Sequence, residues 1–173
     1  MFVRAGIRRH LLPALNPTSY DYQADLSSVQ VAITQAFAKD SKLHLAWKDD
    51  GNPFAINIFS QHGTHNDAYL YNFHEPIGLS KVYFRGGEPL PYIASFHLRL
   101  LALDDKKTRV QVAARDSEVI AGLNPIGVHG PANIYVSVYP TTVEEYEILL
   151  RIGRELAESN MAPLILPKYN ENN

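Results

Sequence analysis

The sequence predicts an α+β fold: an antiparallel meander sheet packed against a long C-terminal helix, with one short helix after the first strand. Three observations predict it. Residues 92–115 alternate apolar and polar at the period of two that a half-buried strand requires. Residues 26–37 and 143–157 carry apolar side chains three and four apart, the spacing of one helix face. Turn residues separate the remaining strand-like runs, and no internal repeat interrupts them.

A length of 173 residues suits one core, and 46% hydrophobic with 20% charged residues is the balance of a chain that folds. Lys plus Arg number 16 against 18 Asp plus Glu, and a formal charge of −2 gathers neither nucleic acid nor acidic lipid. The absence of Cys excludes disulfides, thiolate zinc sites and cysteine nucleophiles. Arg4, Arg8 and Arg9 make a basic start, but Pro13 and Asn16-Pro17 interrupt the apolar run that a signal peptide needs. No stretch reaches the ~18 apolar residues of a membrane span. The expected division is a basic N-terminal arm at 1–19, a single α+β domain at 20–167 and a disordered tail at 168–173. Lack of a signal peptide and of Cys favours the cytoplasm; the oligomeric state is left open.

Tyr20 to Ala24 reads as a short strand. Ser27 with Gln30 matches a capping box, and Leu26, Val29, Ala32, Ile33, Ala36 and Phe37 give the following helix one apolar face. Leu43, Leu45 and Trp47 alternate before the turn at 49–53, and Phe54, Ile56 and Ile58 alternate after it, which predicts a hairpin. Strands follow at Ala68 to Phe73 and Leu79 to Arg85. In the run from Tyr92 to Arg115, like faces meet only if Ala102 lies opposite Thr108, which sets Leu100 against Val110, Leu98 against Val112 and Phe96 against Ala114. Asp116 to Asn133 loses all period and predicts a long irregular segment. Ile134, Val136 and Val138 make the last strand. Thr141 with Glu144, or Thr142 with Glu145, then caps the C-terminal helix, whose acidic first turn complements the helix dipole. Gly153 within that helix implies close approach to the sheet.

A strand, a helix, several antiparallel strands and a C-terminal helix, from Tyr20 to Ser159, resemble the helix-grip order of the START and Bet v 1-like superfamily. That resemblance implies a curved sheet around the last helix, with a cavity that often holds an apolar ligand. It carries no family site residues onto this chain.

Several constellations could carry chemistry. His62, His65, Asp67 and His74 share a polar stretch, but Gly63, Thr64 and Asn66 argue for a loop, so no metal is expected. His97 and Arg99, with Gln111 and Arg115 from the next strand, project from the non-core sheet face. His129 lies with Asp116, Glu118 and Asn124 in the irregular segment, where a His and a carboxylate could pair for acid–base work. Tyr69, Tyr71 and Phe73 share one face, as do Tyr135, Ser137 and Tyr139. No nucleophile elbow, phosphate loop or dinucleotide fingerprint is present. The expectation is a non-enzymatic binding domain without cofactor, either enclosing a small apolar ligand or presenting a sheet face to a protein partner. Its expected ligand-binding residues are Phe96, Leu98, Tyr146, Leu150, Gly153 and His129. The alternatives are an enzyme with a His/carboxylate site and an immunity- or inhibitor-type protein-binding domain.

Overall fold

The computed structural model describes residues 8–9, 15–49, 66–126 and 128–167. It is α+β: an open antiparallel sheet, a short helix α1 (Leu26–Phe37) and a C-terminal helix α2 (Val143–Glu155). The strands are β1 (Arg8–Arg9), β2 (Ser19–Tyr22), β3 (His44–Trp47), β4 (Ala68–Tyr71), β5 (Gly78–Arg85), β6 (Glu88–Asp104), β7 (Lys107–Asn124) and β8 (Ala132–Ser137).

β6 and β7 form one long central hairpin, and short strands flank each end of it. Near its turn the order is β3-β4-β6-β7-β2; at the far end it is β1-β5-β6-β7-β8. The central register is the one the alternation demands: Ala102 pairs with Thr108, Leu100 with Val110, Leu98 with Val112 and Phe96 with Ala114. The meander is interrupted at one place. β4 pairs with β6 rather than with β5, because both occupy the same edge of β6 at different heights. The β5–β6 turn is made at Gly86 (φ 58°) and Gly87 (φ 83°), two positive angles that glycine adopts without strain.

The expected irregular segment from Asp116 is mostly strand. β7 runs on to Asn124, and β8 begins at Ala132. What breaks the period is a bulge: Ile93 faces Glu118 but Ser95 faces Arg115, so β7 carries one extra residue there. Asp116 absorbs it with φ 49°, a left-handed conformation that Asp tolerates better than most residues. The inward parity of β7 then changes from Thr108, Val110 and Val112 to Ser117, Val119 and Ala121.

Both helices contribute to one core with the inward faces of β6 and β7, where Val29, Ile33, Leu98, Val112, Leu149 and Ile152 are buried together. The cap of α1 is Asp25, whose carboxylate accepts from Ser28 N at 2.7 Å, and not Ser27. α2 starts at Val143 after Thr142 in the left-handed region, and Thr142 makes no side-chain cap. Thr141 does pair with Glu144, and its hydroxyl also accepts from Val143 N at 3.1 Å. Arg151 joins the helices: it donates to Asp40 at 2.7 Å and to the Ala36 carbonyl at 2.6 Å, and its guanidinium lies 4.1 Å from the Phe37 ring centre. Tyr22 of β2 donates to the Leu149 carbonyl at 2.6 Å. What crowds Gly153 is not the sheet alone. A Cβ there would collide with Met161 of the returning C-terminal segment, with Tyr22 at ordinary contact distance. That segment is tied down by Asn16, which exchanges two 2.8 Å hydrogen bonds with the backbone of Ile165.

Candidate interaction surface

The outward face of the sheet, opposite the helices, carries aromatic and charged side chains in fixed pairs. Asp67, fully buried just before β4, accepts from His97 Nε2 of β6 at 2.9 Å, with Arg99 Nε at 3.8 Å from the same oxygen. Burial holds the His97 imidazole below its ordinary pKa against the pull of Asp67, with Arg115 and Arg99 adding to the depression. Tyr69 and Ala46 form a small buried cluster beside this pair, with Tyr71 packed against it. Gln111 and Arg115 of β7 are exposed on the same face, opposite Arg99 and Ser95.

The turn after β4 extends this surface. Phe73 (φ 52°) and His74 (φ 62°) are consecutive left-handed residues without being glycine, a conformation that costs an L-residue about 1–2 kcal/mol. Asn72 holds them there. Its buried side chain donates to the Ala94 carbonyl at 2.6 Å and accepts from His74 N at 2.8 Å, and its carbonyl accepts from Glu75 N at 3.0 Å. The Phe73 ring is 56% exposed, edge-on to Tyr71 with centroids 4.9 Å apart, and 5.0 Å from His44. His74 stacks at 4.5 Å on Tyr135 of β8 and bonds Glu118 at 2.6 Å. β3, β4, the turn and β8 thus present one aromatic row, with Glu118 of β7 beside it.

The expected ligand-binding residues are divided between the core and the surface of the described residues. Phe96, Leu98 and Tyr146 are buried in the core, Gly153 is buried, and Leu150 is half-buried. The Tyr146 hydroxyl turns to the Ala162 carbonyl at 2.6 Å. His129 is exposed in the β7–β8 connection. Of the six, Phe96 alone lines the groove between α2, β5 and the segment after α1, whose volume is about 190 Å³. Its other walls include Leu43, Ile77 and Ile148, with Lys81 paired to Glu147 and Arg151 to Asp40 at its rim. Phe54, Ile56, Ile58, His62 and His65 lie outside the described residues.

Two features went unread in the sequence. The left-handed turn at Phe73 and His74 ends β4 at Tyr71, two residues short of the strand expected to Phe73. Glu145 is 2% exposed, and its Oε2 has no hydrogen-bond partner among the described residues. Burial, with Glu144 adjacent, pushes its carboxyl up to about 7.

No family model, no curated protein and no solved structure matches this chain.

Proposed function

We propose that the chain is a non-enzymatic binding domain that presents the outward face of its sheet to a protein partner. The observation that carries this reading is the Phe73 ring, exposed on a strained turn and held by its neighbours. The ring packs on Tyr71 and His44, yet the residue stays 56% exposed on a backbone held in the left-handed region. A partner would cover it: rigid aromatic anchors lose little entropy on contact and dominate many interfaces. The groove beside Phe96 is the site of the competing reading, a small apolar ligand. Its volume of about 190 Å³ is under the roughly 300 Å³ at which ligand pockets begin, and its rim is charged. A helix-grip arrangement is the architecture we propose with this reading, since the sheet precedes a C-terminal helix laid on one face.

The test pairs Phe73→Gly with the wild type. Glycine removes the ring and relieves the backbone, so stability holds or rises while partner retention from a native extract falls. A destabilised variant would make Phe73 a packing residue. Equal retention of every partner by both proteins would place binding elsewhere.

A further inference from the structure

A sheet with open edges must keep them from pairing with another strand, and among the described residues three of the four terminal strands are protected. β1 is two arginines. β2 is four residues long and contains Asp21, ion-paired with Arg109 at 2.6 Å. β3 is four residues long and bracketed by Lys42 and Lys48. Short length and charge are the usual guards of an edge.

β8 has neither. From Val119 through Val143 the chain contains no Asp, Glu, Lys or Arg, in a protein whose charged residues make up 20%. β8 is six residues long, and among the described residues it pairs with β7 alone. Pro131 and Pro140 bracket the strand, but neither lies within it. Five of its six residues are exposed, Ile134 and Tyr135 among them, and the hairpin continues into Leu123, Ile126 and Val128, the last two 86% and 96% exposed. An uncharged edge of ordinary length that exposes Ile134 and Tyr135 is the kind that templates a further strand.

We propose that β8 pairs antiparallel with β8 of a second copy of this chain. The absence of charge selects this occupant. With the two-fold axis at Tyr135, near the middle of the strand, Ile134 of one copy faces Val136 of the other and lies diagonal to its own counterpart, so a charge on or beside the axis would be repeated against itself. β2, with Asp21, would oppose carboxylate to carboxylate, whereas β8 opposes only Ala, Asn, Ile, Tyr, Val and Ser. Pairing would join two five-stranded far ends into one continuous ten-stranded sheet. A six-residue edge supplies roughly six backbone hydrogen bonds. The area is small for a permanent interface, so the dimer dissociates on dilution.

The test is sedimentation velocity of the full chain across a concentration series up to about 1 mM, the weak end of measurable association. The wild type should shift from monomer to dimer. Ile134→Lys should remain monomeric with an unchanged melting temperature, and so should Ile134→Glu. Mixing the two variants should restore a dimer, because the diagonal partners then carry opposite charge. Amide exchange in 132–137 should slow as wild-type concentration rises. A wild type that stays monomeric throughout, or a dimer that survives Ile134→Lys with its Kd changed less than about twofold, overturns the proposal. A monomer whose β8 edge is instead occupied by an added peptide strand would also overturn it and give the edge to a foreign partner.

Discussion

Glu145→Gln is the substitution whose effect follows most directly from the buried end of α2. The Glu145 carboxyl is buried under the first turn of the helix, beside Glu144, and has one oxygen without a hydrogen-bond partner among the described residues. Glu144 is raised too, by burial, against the pull of Thr141 and Lys81. The Tyr92 phenol nearby is pushed up by burial and by the two carboxylates. Glu145 therefore binds its proton more tightly folded than unfolded. From the ordinary 4.5 to about 7 is 7 − 4.5 = 2.5 pH units, which at about 1.4 kcal/mol per unit is about 3 kcal/mol. The sign follows from the proton count. Between pH 4.5 and 7 the native state holds more protons than the unfolded chain, so stability is fullest below that window and falls as pH rises through it. Gln keeps the shape and cannot ionise. Urea unfolding should show the variant and wild type converging near pH 4 and the variant more stable by up to about 3 kcal/mol at pH 8, with a residual slope from Glu144. A difference that is zero, or the same at every pH, would refute the reasoning and mean that Glu145 is solvated.

Three further outcomes test the packing. Leu149→Ala removes a fully buried side chain of α2 and should cost about 2–5 kcal/mol in chemical unfolding; an unchanged midpoint would show that α2 does not pack on the sheet. Gly153→Ala should be neutral or destabilising with Met161 in place, yet stabilise by up to about 1 kcal/mol in a Met161→Ala background, and a double-mutant cycle without coupling would contradict that contact. Asn72→Ala should lower stability by about 1–3 kcal/mol, since it leaves the turn at Phe73 and His74 unsupported; a neutral result would mean that the turn holds itself.

What could be read from the chain alone, and what could not, divides by how local the cause is. The β6–β7 register was legible because alternation on two adjacent strands admits one pairing, and the same parity put His97, Arg99, Gln111 and Arg115 outward. The bulge at Asp116 was not. One inserted residue moves inward parity from Val112 to Val119, and an unlabelled change of phase is indistinguishable from a loss of period. Asp67 as partner of His97 depends on β4 lying against β6, a choice made across the sheet rather than along the strand. The first turn of α2 misled in a different way. Its acidic residues suit the helix dipole, which explains Glu144 and Glu145 without requiring either to be buried, and only the packing of the far sheet end on that turn buries them both.

The outward face is tested most directly by titrating a partner, isolated on the wild-type protein, against wild type and Phe73→Gly in the same calorimeter. Both proteins should melt alike within a few degrees, with Phe73→Gly no less stable. A ring acting as an anchor should be worth at least about 2 kcal/mol, so the account predicts a loss of affinity of more than tenfold. Equal affinity for the two proteins would contradict it. So would a small apolar molecule that co-purifies with the wild type and protects Phe96 and Ile148, because binding would then belong to the groove under α2.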